Sequence, residues 1–586
     1  MNQDLSPPTI KQRLTPEYFF LIAIALGILL RCLNLGSREF WYDEVLSLLL
    51  SSGQKIAYYT PGDTPVTLAD FHRLLSLPAE ASFFAPVRTI VNLLRGLAGG
   101  EPHPPLFYLT QHLWLRLFGN GEAAQRSIGM LLSGGAIVSA YGLGKNLLGH
   151  RGGLLLAALF ATNPFYLFHS LNLRMYGPVV LWTTLSAWAL LEIIKTVGDW
   201  SKVPGNQSND KASSLEPSPH PPYPPLKGGE EKHDQGQIIW TVVLILAVAA
   251  GCMTLYLFAF WLIALAAVVL FLDRRRWWQH GLRMGAGVVL AIPWGLWGTR
   301  QQLRNADFGR FNAPDGVMAA MLKHLQDVAN TLGIQLLWGD WITSLPGVAA
   351  TVAGAGAIGL LIVASIRVWR QGEKRLLTLA LLLGIFPLLL ALTIDIASGK
   401  YTVGFGWGRS AIYILPGCLL LICVCLHKTP HPWGQVAAAV LLLLYLGISV
   451  GDFSFRQRQI FHQIAATVAA APNTPTLIAL NSKAWGHIMR LAYYIPPEMP
   501  VKLLAAEAKN LPSSLAKVLT ESSQETVPTY QRVMWLDSFN PLWSAPTTPE
   551  EKSEIEAVLS SRFQLQNRQH LLGTMNLDEF TVSVYQ

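Results

Sequence analysis

The sequence is poor in charge. Of its 586 residues only 14% are Asp, Glu, Lys or Arg, while 51% are hydrophobic; an ordinary soluble chain carries about 25% charged residues. Mean hydropathy is +0.34. So few charges cannot cover the surface of a soluble protein of this length. That excludes a soluble multidomain enzyme and calls for repeated apolar helices, each near 20 residues, across a ~30 Å hydrocarbon core. Cysteine is scarce too. The five cysteines lie in or beside apolar runs, with Cys418, Cys423 and Cys425 sharing one. They read as buried thiols and argue against a disulfide framework or a cysteine metal site. A basic stripe interleaved with aromatics is missing, so the net charge of +8 belongs to helix-orienting cytoplasmic loops and nucleic acid is excluded as a partner. The first apolar segment, 18–35, lacks a small-residue cleavage site, and Arg31 spoils a lipoprotein signal at Cys32; the segment reads as a retained signal anchor.

Charge also orients the chain. Lys11 and Arg13 precede the first span, which therefore runs from the cytoplasm outward. Lys145 to Arg151, Arg274 to Arg276, Arg367 to Arg375 and Lys428 then all fall inside. This alternation holds if the short apolar stretch 104–118 is a juxtamembrane helix on the outer face. The predicted fold is an all-α polytopic membrane protein with about eleven transmembrane helices over 1–450, plus a small extramembrane α/β domain at 451–586. The expected location is the plasma (inner) membrane, with the C-terminal domain on the outer, periplasmic side. Outer loops are expected at 36–125, 299–345 and 397–408. In the C-terminal domain the patterning predicts strands at 475–481, 532–536 and 579–585 and a helix near 549–560. Residues 197–236 are rich in Pro, Ser and Gly, cannot bury apolar area, and read as a disordered cytoplasmic linker.

The residues able to do chemistry collect on the outer side. Trp41-Tyr42-Asp43-Glu44 lies just beyond the first span. The acidic pair reads either as a solvated loop or, held at headgroup level by its aromatic neighbours, as a general base and cation ligand. Glu101-Pro102-His103-Pro104-Pro105 opens the juxtamembrane helix; His103 is a surface residue or a ligand facing the same compartment as Asp43. Arg174, in Leu173-Arg174-Met175-Tyr176, either snorkels to the interface or clamps a phosphate. Arg409, in Gly406-Trp407-Gly408-Arg409-Ser410, is a second such arginine.

Together these motifs resemble the membrane-embedded GT-C glycosyltransferases, and most of all the dolichyl-phosphate-mannose protein mannosyltransferases and the aminoarabinose transferases of lipid A. The resemblance rests on Trp41-Tyr42-Asp43-Glu44, on His103-Pro104-Pro105-Leu106-Phe107-Tyr108, on Arg174-Met175-Tyr176 after a span containing Asn163-Pro164, and on Arg409 before Leu415-Pro416. It covers about 1–450. It implies an inverting transfer of a sugar from a polyprenyl-phosphate donor to a lipid, glycan or protein acceptor, among membrane lipids. Asp43 would activate the acceptor hydroxyl and Glu44 would support it or a divalent metal cation (Mg, Mn or Zn). Glu101 would be a third metal ligand, Arg174, Arg409 and His103 would bind the donor phosphate, and no organic cofactor is implied. The chain departs from the aminoarabinose transferases, which have Glu-Lys-Pro where Pro102-His103-Pro104 stands. No loop is long enough for the β-trefoil domain of the protein mannosyltransferases, so protein O-mannosylation is not implied. The alternative from another class is a transporter or flippase of lipid-linked sugars. Such proteins show internal repeats and mid-membrane charges; no repeat is visible here, and the ionisable residues singled out lie mostly at outer span ends.

Overall fold

The computed structural model describes residues 16–79, 82–197, 228–305, 309, 312, 316–344, 347–455, 459–522, 529–539, 545–573 and 578–586. Most of the predicted linker, 198–227, lies outside them. Its last part differs from the expectation: residues 228–236 begin the helix Gly228–Cys252.

Each predicted span falls on a helix. Among the described residues, seven helices are long and apolar enough to cross a membrane, or eight if the bent pair Lys374–Leu383 and Ile385–Ser398 is one span. The difference from eleven has local causes. Where the hydropathy predicts two spans, 126–147 and 152–171, one helix Glu122–Thr162 turns at Gly149 with φ 75° and is followed by the short helix Pro164–Ser170. Phe258–Leu272 has only 15 residues, and Trp277–Trp294 carries Gln279, His280 and Arg283.

Two predicted outer loops are largely helical. The region 36–125 holds Tyr42–Ser51, Leu68–His72, Ala85–Ala98 and the expected juxtamembrane helix, Leu106–Phe118. Within 299–345, the helix Val317–Gly333 buries His324 and Asp327 and exposes Val317, Met318, Met321, Leu322 and Leu325. An apolar exposed face over a polar buried one is the arrangement lipid selects, so this segment is not a solvated loop.

The C-terminal region builds a six-stranded sheet in the order β1-β3-β2-β4-β6-β5. The strands are β1 (Val66–Thr67), β2 (Thr476–Leu480), β3 (Val501–Ala505), β4 (Arg532–Ser538), β5 (Leu565–Leu572) and β6 (Glu579–Tyr585). β3, β2 and β4 are parallel and the other pairings antiparallel. The predicted strands are β2, β4 and β6, and the predicted helix is Pro549–Ser560. Alternation along the strands splits two cores. Ile478, Leu480, Leu503, Met534 and Leu536 join the core of the membrane helices. Leu477, Ala479, Leu504, Val533 and Trp535 pack under Leu511, Leu515, Ile555 and Leu559.

β1 comes from the segment 36–125, so that segment and the C-terminal region share one sheet. A buried ion network reinforces the junction: Arg490 reaches Glu39 at 3.0 Å and Asp578 at 2.7 Å, and the amide of Phe461 donates to Glu39 at 2.8 Å. Tyr42 lies flat on Gly486, where a Cβ would stand 2.5 Å from its ring; only glycine allows that approach.

Candidate active site

Asp43 and Glu44 occupy the first turn of the helix Tyr42–Ser51. Successive helical residues point about 100° apart, so the two carboxylates serve different neighbours. Glu44 is fully buried. It accepts from Arg126 Nε at 3.0 Å and Nη2 at 2.8 Å, from the amide of Leu173 at 2.8 Å and from the amide of Trp41 at 3.1 Å. Arg126 also holds the carbonyls of Arg38 and Glu39, at 2.6 and 3.0 Å. Burial alone would raise the Glu44 carboxyl, but the Arg126 charge outweighs it and holds the group below the usual range. As placed, the Glu44 oxygens are engaged in anchoring the loop around Asp43. Breaking such a buried pair costs about 3–5 kcal/mol. Glu44→Gln should therefore lower the thermal unfolding midpoint well below wild type, and an unchanged midpoint would refute the anchoring role.

Asp43 faces the other way, with its side chain 15% exposed. Its Oδ2 lies 3.2 Å from Arg409 Nη2 and 3.9 Å from Arg174 Nε. Among the described residues its Oδ1 makes no hydrogen bond. Ser47 stands one turn on, and its hydroxyl accepts from Arg174 Nη1 at 3.0 Å; Arg174 also donates to Tyr108 OH at 3.3 Å and pairs with Glu101 at 3.5 Å. Arg409 is sandwiched by aromatic faces, 5.0 Å from the Trp41 ring and 5.4 Å from the Tyr176 ring. The loop ahead of it passes through left-handed backbone, with φ 65° at Gly406, 54° at Trp407 and 77° at Gly408. A Cβ at Gly406 would sit 2.4 Å from Arg409 Nε, so a bare backbone is needed there. Trp407 is the one non-glycine residue with positive φ among those described, a local strain of the kind that collects at functional sites. Arg409 Nε, Arg409 Nη1 and Arg174 Nε are buried and have no hydrogen-bond partner. Unmatched buried N–H groups are costly, and here they converge beside one carboxylate.

Glu101 and His103 complete the polar wall. The His103 Nδ1 to Glu101 Oε1 distance is 2.5 Å. Burial would raise the Glu101 carboxyl, but Arg174 and the bond to His103 outweigh it and push it down to about 2. Burial pushes His103 below its ordinary value, only partly opposed by Glu101. Near neutral pH the pair is thus carboxylate and neutral imidazole, and Nδ1 must donate because the carboxylate can only accept. Nε2 then carries a lone pair. As placed, the Nδ1–H of His103 is given to Glu101 and is not offered to a phosphate oxygen. His103 instead fixes Glu101, which holds Arg174. The pH sign follows. Protonating His103, with its depressed value, costs the folded state stability as pH falls below the ordinary imidazole value. The stability from Glu101 is present above its unfolded value and is lost as pH falls toward about 2. Thermal midpoints should decline from pH 7 to 5, and His103→Gln should flatten that decline; an equal slope in both proteins would contradict the assignment.

Among the described residues no group of three or more His, Cys, Asp or Glu is placed to hold a metal ion. The three expected ligands each face guanidinium instead: Asp43 faces Arg409 and Arg174, Glu101 faces Arg174, and Glu44 faces Arg126. As placed, this set does not fit a divalent cation. In the stretch 299–345 the sequence also offers Arg300, Arg304 and Arg310 as a cover over the site or as a solvated loop; Arg300 and Arg304 are exposed and Arg310 lies outside the described residues. Their helix still touches the site's back, since Gln302 donates to the His103 carbonyl at 2.9 Å. Arg126, Ser47, Tyr108, Trp41 and Tyr176 were not singled out from the sequence for these roles. Trp41, Tyr108 and Tyr176 stand inside the quoted motifs, which was the available signal; Arg126 and Ser47 left none.

Residues 102–203 match the family described as dolichyl-phosphate-mannose-protein mannosyltransferase. No curated protein matches the chain. Among solved structures it is similar to ArnT from Cupriavidus metallidurans in the apo state, with 12% identity and a TM-score of 0.38 over 96% of this chain and 97% of that one. The same enzyme bound to undecaprenyl phosphate gives 13% identity and a TM-score of 0.37, over 96% and 98%. The Archaeoglobus fulgidus oligosaccharyltransferase in complex with Zn and sulfate gives 13% identity and a TM-score of 0.45, over 88% of this chain and 67% of that one.

Proposed function

We propose that this protein is an integral-membrane inverting glycosyltransferase. It moves a sugar from a polyprenyl-phosphate donor to a hydroxyl of a lipid, glycan or protein acceptor at the outer face of the membrane. The observation that carries this reading is the pair of buried guanidiniums beside Asp43 with three unmatched N–H donors. Guanidinium is always charged, and its planar fork fits phosphate oxygens. The family match over 102–203, which contains both His103 and Arg174, supports the same reading.

The chemistry balances within this set. Asp43 Oδ2 is held by the arginines, which leaves Oδ1 for the acceptor hydroxyl. The acceptor gives its proton to Asp43 as its oxygen bonds to the anomeric carbon. The bond from that carbon to the phosphate oxygen breaks, and its electron pair leaves with the phosphate. Asp43 thus loses one negative charge as the phosphate gains one. Arg409 and Arg174, released from a neutralised Asp43, follow the charge to the phosphate, a stabilisation that grows toward the transition state. A double displacement would need a free second carboxylate. Glu44 and Glu101 are both engaged, which favours a single displacement with inversion.

The test is transfer of label from a panel of polyprenyl-phosphate sugars by the full chain in nanodiscs, with native lipid extract as acceptor. Label in a new product is expected with wild type and not with Asp43→Asn. No transfer from any donor, with labelled lipid crossing the bilayer equally in both proteins, would replace this reading by transport.

A further inference from the structure

A second cavity, of about 690 Å³, opens in the C-terminal region. It is lined by Asn481, Lys483, Glu507, Lys509, Thr548 and Glu551, with Ala545 on its rim. Its place follows from the topology. β2 is the central parallel strand; the chain leaves it through the helix Trp485–Tyr494 to β3 on one side, while β4 continues on the other side to the antiparallel edge. The onward chains of β2 and β4 therefore diverge at their carboxyl ends, and ligands of open α/β sheets bind in the crevice so formed. Its volume is that of a small-molecule site.

The walls are built rather than incidental. Asn481, just past β2, is fully buried. Its Nδ2 donates to Asp537 at 2.7 Å, to Thr547 at 2.8 Å and to the carbonyl of Ser538 at 3.0 Å, and its Oδ1 accepts from the Ser538 amide at 2.7 Å. Beside it the buried Ser538 hydroxyl has no hydrogen-bond partner. Thr548 and Glu551 are locked to each other at the start of Pro549–Ser560: the Thr548 amide donates to Glu551 at 2.8 Å and the Glu551 amide to Thr548 Oγ1 at 3.2 Å.

The lining also selects a class of ligand. It offers donors and acceptors of both signs, but its cations are already matched. Lys483 pairs with Asp63 of the first outer loop at 2.8 Å, and Lys509 pairs with Glu507 at 3.1 Å. A crevice without surplus positive charge has no preference for phosphate or carboxylate. Alternating donors and acceptors suit vicinal hydroxyls, which donate and accept in turn. A chain of packed residues runs from the crevice's edge toward the Asp43 site. The helix Trp485–Tyr494, which starts at its edge, carries Gly486 and His487 against Tyr42, with the His487 and Tyr42 rings 5.6 Å apart, and Tyr42 is the neighbour of Asp43.

We infer that this crevice binds the neutral saccharide portion of the acceptor, next to the site where Asp43 takes the acceptor's proton. The inference rests on the transferase reading for the word acceptor, but saccharide binding can be measured without transfer. The experiment uses the full chain in nanodiscs and fluorescently tagged neutral di- to tetrasaccharides of hexoses and N-acetylhexosamines, with phosphorylated counterparts as comparators. Ala545→Trp places an indole in the crevice from an exposed position, and Glu507→Gln with Lys509→Met removes a matched pair on its wall. The expected result is saturable binding of at least one neutral saccharide, weakened tenfold or more by Ala545→Trp and changed by the double variant. Polyprenyl-phosphate retention should be equal in all these proteins. Failure of every neutral saccharide to bind wild type, equal binding by Ala545→Trp, or binding confined to phosphorylated comparators would each overturn the inference. Loss of lipid retention only in an Arg409 variant, with saccharide binding kept, would support two separate sites. Absence of lipid retention in wild type would count against the transferase reading and leave the saccharide result to stand by itself.

Discussion

Asp43→Asn should reduce sugar transfer by about 10²–10⁴-fold, the range that a positioned general base contributes. The protein should fold as before, because Asn keeps the shape of the residue and the anchor of this loop is Glu44 on Arg126, not Asp43. Donor binding should be equal or tighter. In the wild type Asp43 Oδ2 competes with phosphate for Arg409, 3.2 Å away, and for Arg174, 3.9 Å away; an amide leaves both guanidiniums to the phosphate. Single-turnover transfer and equilibrium binding of the same labelled donor separate the two effects. A large loss of turnover with tightened binding is the signature of a base placed between phosphate-binding arginines. Equal turnover would remove Asp43 from the chemistry, and parallel loss of both would point to a role in donor binding.

Arg409→Ala should act in the opposite sense on binding. It removes two of the three unmatched buried donors and the cation held between Trp41 and Tyr176. Donor affinity should fall by about 10²-fold or more, since charge-assisted bonds to phosphate are roughly twice as strong as neutral ones. Arg409→Lys should recover only part of the loss. An ammonium restores the charge, but not the fork or the stacking between two rings. Donor binding measured for wild type and both variants gives the order wild type, Lys, Ala. Full recovery by Lys would show that charge alone matters, and unchanged binding in Ala would remove Arg409 from the phosphate site. An unchanged thermal midpoint in Arg409→Lys serves as the folding control.

Much of this molecule can be read from its sequence for simple reasons. A bilayer accepts only long apolar helices, so hydropathy located the helical segments. Strands of a sheet covered on both faces are short apolar runs, so β2, β4 and β6 stood out, whereas β5, exposed along most of its length, and β1, two residues long, left no such signal. Asp43, Glu101 and His103, three of the polar residues that meet around Arg174 and Arg409, were also legible, because charged side chains near apolar spans are few. What the tertiary structure decided is direction and partnership. The one-residue step around a helix sent Glu44 to Arg126 and Asp43 to Arg174 and Arg409. The Arg174 charge, outweighing burial, made Glu101 a firm carboxylate, and burial left His103 neutral beside it. Three carboxylates that looked like a metal set each found a guanidinium. The joining of the segment 36–125 to the C-terminal sheet, through β1 and through Glu39 with Arg490, brings together residues more than 400 positions apart. Hydropathy and local spacing are properties of neighbours in the chain. Which carboxylate meets which arginine depends on distances set only once the helices pack.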